Sequence, residues 1–75
     1  MKTLNQLKPG ASCVVVKVHG HGASYQRLLE MGLIEGTYLR VVRYAPLGDP
    51  LEVHLHGFNL SLRASEAGKV EVADA

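Results

Sequence analysis

The 75 residues contain no tryptophan and a single phenylalanine, Phe58, so any core must be built from aliphatic side chains. Leucine, valine and isoleucine supply 21 of the residues, enough to exclude a disordered chain. One cysteine, Cys13, rules out an internal disulfide, and the domain must hold itself together by burial alone. Charge of neither sign is in excess: eight lysines and arginines against seven acids leave a net charge of +1. Affinity for a nucleic-acid backbone comes from clustered cations that displace counterions, and here the cations are scattered among acids along the chain. Nucleic acid is therefore excluded as a partner. No apolar run approaches the roughly 20 residues that span a bilayer, the longest valine run being Val14 to Val16, so no membrane insertion is expected. The N-terminus lacks a secretory apolar region, which together with the lone thiol predicts a reducing, cytoplasmic setting.

Residues 1–75 make one domain, since the length leaves no room for a second. Surface scaling gives roughly 4,500 Å² for the folded chain, with about 60% of the unfolded surface removed. A large internal active-site cavity is not expected at this size.

Thr3 before Leu4 and Leu7, then Pro9-Gly10, reads as a capped helical turn halted by a turn. Ser12 to Val18 is rich in β-branched residues and reads as a strand, with Val14, Val16 and Val18 expected on the core face and Cys13, Val15 and Lys17 on the other. Glycines around His19 and His21 lead into a helix from Ser24, its expected N-cap, to Met31. Tyr25, Leu28, Leu29 and Met31 form its apolar stripe, and Gly32 followed by Leu33 marks its end through a left-handed residue. Thr37 to Tyr44 is a second strand, with Leu39, Val41 and Val42 available to the core and a bulge able to switch the face midway. Ala45-Pro46-Leu47-Gly48-Asp49-Pro50 is a connection stiffened by two prolines and expected to extend outward. Leu51, Val53 and Leu55 alternate with Glu52, His54 and His56 in the clearest half-buried strand, and Gly57 turns the chain into a return strand carrying Leu60 and Leu62. Ala64 to Ala67 is a helical turn with Ser65 as its expected cap, Val70 to Val72 a final strand, and Ala73 to Ala75 a frayed end. Five closely spaced strands with one inserted short α-helix predict a mainly β fold, a small SH3-like antiparallel barrel.

Two His-x-His pairs are the first candidates for chemistry. Imidazoles at i and i+2 share a strand face, so His54 and His56 are placed to meet one Fe²⁺ or Zn²⁺ ion, with His19 or His21 as further ligands if the fold brings them near. Cys13 has no Cys-x-x-Cys partner, and neither a nucleophile elbow nor a phosphate-binding glycine loop is present, so enzymatic activity is not expected. Two candidate contact surfaces remain: the helix stripe, where Leu28 and Leu29 point about 100° apart so that one can face a partner, and the stiff Ala45 to Pro50 loop.

Arg27-Leu28-Leu29-Glu30-Met31-Gly32-Leu33, Gly36, Ala45-Pro46-Leu47-Gly48-Asp49-Pro50, Leu60-x-Leu62-Arg63, Ala67 and Val70-x-Val72 together resemble the FeoA family, small components of bacterial ferrous-iron transport, from Leu4 to Val72. The resemblance implies an SH3-like barrel with an inserted helix, no enzymatic activity and no required cofactor. It also implies a cytosolic accessory role, at the inner membrane through its partner, in binding and supporting or regulating the FeoB GTPase and permease. The expected partner-binding residues are Leu28, Leu29, Met31, Pro46, Leu47 and Asp49. The histidines lie outside the family pattern, and a transition-metal-responsive module built on them is the alternative reading. Homo-oligomerisation is compatible with either.

Overall fold

The computed structural model describes residues 1–75. A single 3-10 turn, Leu4–Gln6, precedes β1 (Ser12–Val18), α1 (Gly22–Glu30), β2 (Tyr38–Tyr44), β3 (Leu51–Leu55), β4 (Phe58–Leu62), α2 (Ala64–Ala67) and β5 (Val70–Asp74). The strands form one antiparallel sheet in the order β4-β3-β2-β1-β5, bulged in β1–β5 between Val15 and Lys17 and in β2–β3 between Val41 and Arg43. This is the small five-stranded fold with one inserted helix that the sequence predicts. Its folded surface is 4406 Å², close to the value expected for a compact chain of this mass.

Leu4, Leu28, Leu33, Leu39, Leu51 and Leu62 are among the fully buried side chains. Each contributes on the order of 1.5–3 kcal/mol by leaving water, which is how the chain holds a core without large aromatics. α1 ends in a Schellman geometry: the Leu33 amide donates to the Leu28 carbonyl at 3.1 Å, the Gly32 amide donates to the Leu29 carbonyl at 3.0 Å, and Gly32 has φ +97°. The stop foreseen at Gly32 thus carries Leu28 and Leu33 together into the core.

β1 reverses the expected facing. Cys13 and Val15 are buried, Val14 is half-buried and Val16 exposed, and Val18 returns to the core because the bulge after Val15 shifts the alternation. Valines on both faces gave the strand no polar side by which its orientation could be read. Smaller corrections follow. α1 begins at Gly22 with His21 as N-cap, and Ser24 lies inside it. α2 is capped from Arg63 and not Ser65, with the Glu66 carboxylate accepting the Arg63 amide at 2.9 Å. Ala73 and Asp74 are strand residues paired with Val14 and Cys13, not a frayed end. The outer edge of β5 is covered by the N-terminal segment, where the Val72 amide donates to the Lys2 carbonyl at 2.9 Å and Thr3 bridges Glu71.

Candidate functional site

The β2–β3 loop and the start of α2 meet at one corner. The Ala45 amide donates to the Pro50 carbonyl at 2.9 Å and the Gly48 amide to the Ala45 carbonyl at 2.7 Å, so the loop closes on itself where an extended arm was expected. At its tip Leu47 is 97% exposed, the most exposed large apolar side chain of the molecule. Pro46 and Asp49 are exposed as well. One carboxylate oxygen of Asp49 accepts the Ala64 amide at 3.0 Å, fastening the loop to the first turn of α2. A shallow groove lies beside this contact, lined by Asp49, Pro50 and Arg63.

Behind the groove, α2 is tied to α1. The buried Glu66 carboxylate accepts the Arg63 amide with one oxygen and pairs with the Arg27 guanidinium through the other. Burial alone would raise the Glu66 carboxyl, but the Arg63 amide, the Arg27 hydrogen bond and the charges of both arginines outweigh it and hold the group below the ordinary carboxylate value. Arg27, the first residue of the Arg27-to-Leu33 motif, therefore orients α1 against the corner. Within α1, Leu28 is fully buried, which corrects its placement on a partner-facing surface: its side chain is the inward half of the Schellman contact. Leu29 and Met31 are half-buried against the core and keep part of their surface outside.

The histidines do not converge. His56 lies outside β3, in the two-residue turn with Gly57, where both residues have positive φ (51° and 84°), so it does not share a strand face with His54. Its ring packs on Gly32, with Nε2 3.4 Å from the Gly32 carbonyl. His54 Nδ1 lies 2.7 Å from the Asn59 side-chain oxygen, His19 Nε2 lies 2.8 Å from Glu71, and His21 is exposed at the start of α1. No three histidine, cysteine, aspartate or glutamate side chains come together as a metal-ligating group. Cys13 is buried, and burial with the nearby Asp74 charge pushes its thiol up to about 11, which keeps it in the unreactive protonated form at neutral pH. No helix is long and apolar enough to cross a membrane.

Arg63 is the residue that sequence reasoning missed as part of a site. Arg63 lines the groove and forms no salt bridge, its charge acting on Glu66 from a distance, whereas Arg27 and Arg43 are in direct contact with Glu66 and Glu52. The signal was its position directly after the last buried residue of β4, where the chain leaves the sheet and the side chain must point to solvent.

One five-stranded antiparallel sheet in the order β4-β3-β2-β1-β5, with a short helix inserted between β1 and β2, is the architecture of an SH3-like domain. Residues 2–74 match the FeoA domain model, and the chain belongs to the FeoA family. It is 42% identical over 69 residues to the Fe(2+) transport protein A/Fe(2+) transporter FeoB fusion protein of Porphyromonas gingivalis, a match covering 92% of this chain and 8% of the length of that protein. The solution structure of FeoA from Chlorobium tepidum is 40% identical with a TM-score of 0.90, over 97% of this chain and 70% of that one. The crystal structure of Stenotrophomonas maltophilia FeoA complexed with zinc, described as a prokaryotic SH3 domain protein, is 36% identical with a TM-score of 0.85, over 97% of this chain and 91% of that one.

Proposed function

We propose that the chain serves bacterial ferrous-iron uptake as an accessory domain that docks on the cytosolic part of a FeoB-type permease and supports or regulates it. The carrying observation is the Porphyromonas gingivalis relative, in which a matching domain and the transporter are one polypeptide. Such a fusion makes contact between the two parts an intramolecular event at high effective concentration, and a separate chain must replace that tether with a binding surface. The corner supports this reading. Its loop is fastened before any partner arrives, which lowers the ordering entropy of binding, and Leu47 offers apolar area there; the outer parts of Leu29 and Met31 add apolar area elsewhere, on α1. In this reading the chain works at the cytoplasmic face of the inner membrane through its partner.

The test is co-purification with the cytosolic portion of the permease in each nucleotide state, together with iron uptake in cells. Leu47→Ser and Leu29→Glu are expected to fold and to weaken both association and uptake. Wild-type association in both variants overturns the surface assignment, and no association of the unmodified chain in any nucleotide state overturns the function. Leu28 is unsuited to this test because a charge there disrupts the core.

A second reading, a metal-responsive module, is favoured by the zinc held in the Stenotrophomonas maltophilia structure and by His54. Its Nδ1 faces the Asn59 oxygen, so Nε2 is the nitrogen left for an ion. Titration of the protein with Zn²⁺ or Fe²⁺ decides, and binding no tighter than about millimolar removes the reading.

A further inference from the structure

We propose that the outer face of β1 seats an uncharged, apolar segment of the permease's cytosolic part, on a row formed by Val14, Val16 and Tyr38 with Ile34 beside it. This rests on the docking reading and adds a second contact face to the corner. The outer face of the sheet divides in two. Over β2, β3 and β4 its side chains are polar and bond to one another, Arg43 to Glu52 at 2.9 Å and His54 to Asn59 at 2.7 Å. Over β1 it is apolar. Cys13, Val15 and Val18 fill the core, while Val14 and Val16 stand at positions where a strand buried on one face carries polar residues. The ladder partners of Val14 are Tyr38 of β2 and Ala73 of β5, and partners directly opposite share a face, so these side chains form one row across three strands. The Tyr38 hydroxyl donates to Ser12 Oγ at 2.8 Å, which leaves its ring, 58% exposed, free to be covered without stranding a polar group. Ile34 is 51% exposed in a turn held to β1, where the Gly36 amide donates to the Val15 carbonyl at 2.8 Å and the Val15 amide to the Thr37 carbonyl at 2.9 Å. Val16, Ile34 and Tyr38 are three of the six large apolar residues left exposed, a concentration that singly scattered residues do not give.

The chain's ends select the occupant. The row stops at Ala73, next to Asp74, and Asp74 meets Lys2, so both ends of the domain border it. In a relative fused to the transporter, the joined polypeptide starts at this border whichever end carries it, and β1's outer face is the surface it meets first at high effective concentration. Charges of both signs border the row, Lys2 against Asp74 and Lys17 opposite Glu71, so neither sign is selected in the segment that covers it.

The measurement is methyl nuclear magnetic resonance of the domain, labelled at valine and isoleucine and titrated with the unlabelled cytosolic portion of the permease. Ile34 is the one isoleucine of the chain, so its signal identifies itself. The expected result is that the Ile34, Val14 and Val16 methyls shift on binding while those of Val53 and Val70, fully buried, do not. Affinity should change less than about twofold as salt is raised, since no charge pair carries the contact. Tyr38→Lys and Ile34→Lys should each keep the core methyl spectrum and weaken binding roughly tenfold, whereas Tyr38→Phe, which loses only the hydroxyl, should bind like the unmodified domain. If the permease binds while these methyls stay silent, or binds both lysine variants normally, the row assignment fails and the docking function stands. If the permease does not bind at all, the docking function fails and the row assignment with it. If the same methyls shift when the domain alone is concentrated and the permease leaves them unchanged, a second copy is the occupant and the proposal is overturned.

Discussion

Two connections flank β3, and they are built in opposite ways. Before it the chain uses six residues, Ala45 to Pro50, fastened to α2 through Asp49 yet holding Leu47 almost wholly in water. After it the chain uses two, His56 and Gly57, both at positive φ, and the His56 ring lies on the Gly32 end of α1. The long connection is fastened by hydrogen bonds and still offers an unused apolar side chain, whereas the short one rests its exposed histidine ring on Gly32. Rigidity alone therefore does not mark an interaction surface; it does so where a fastened segment keeps groups that nothing inside the molecule has claimed.

Breaking the short connection should cost the most stability. In Gly32→Ala the new Cβ would stand 2.8 Å from the His56 ring at φ +97°, and a loss of about 2 kcal/mol is expected in chemical denaturation. His56→Ala in the same background should recover only the part due to the ring, since the backbone conformation still disfavours a side chain; full recovery would show that the backbone conformation costs nothing. Next comes the tie behind the groove. Glu66→Gln should cost about 1–2 kcal/mol, because Arg27 loses its anion while the Arg63 amide keeps an acceptor. The Glu66 carboxyl is held below its ordinary 4.5 in the folded state, so its stabilisation is fully present above that value and is lost as pH falls through the folded value. Urea midpoints measured from pH 6 downward should fall less steeply in Glu66→Gln than in the unmodified protein, and parallel curves would remove Glu66 from the acid response.

At the long connection the effect on stability should be smaller. Asp49→Ala removes the acceptor of the Ala64 amide and should cost about 1 kcal/mol, with faster amide exchange at Ala64 as the local readout. Unchanged exchange there would mean that the loop is not fastened by this bond. Smallest of all is His19→Gln, which removes a partly exposed pair with Glu71 and should change the denaturation midpoint by no more than about 0.5 kcal/mol.

Much of this architecture was legible because single residues carried unambiguous signals. Alternation marked β3 from Leu51 onward, though it ran one residue past the end of the strand at Leu55, and Gly32 with Leu33 marked the end of α1. β1 was legible in extent but not in facing, since Val14 and Val16 are as apolar as Cys13 and Val15 and the bulge changes the phase only within the folded sheet. The loop was identifiable as a surface from Pro46, Leu47 and Pro50. The engagement of Asp49 was not, because its partner, the Ala64 amide, is 15 residues away and belongs to a helix of one turn. His56 read as strand because alternation continued through it, and the two-residue turn that removed it from the strand depends on a positive φ that histidine seldom adopts. The Arg27–Glu66 pair joins residues 39 apart and has no local signature at all.

Lys2 and Asp74 form a salt bridge at 2.9 Å, and the segment around Lys2 lies along β5. The first and last residues of the domain therefore stand side by side. A polypeptide joined to either end leaves from the same patch of surface, so a host protein can carry this domain at its front or its back and hold it by the same side. The same closeness makes the chain a near-circle: joining its ends with a short linker and opening it at an exposed turn should yield a permuted domain with the same sheet.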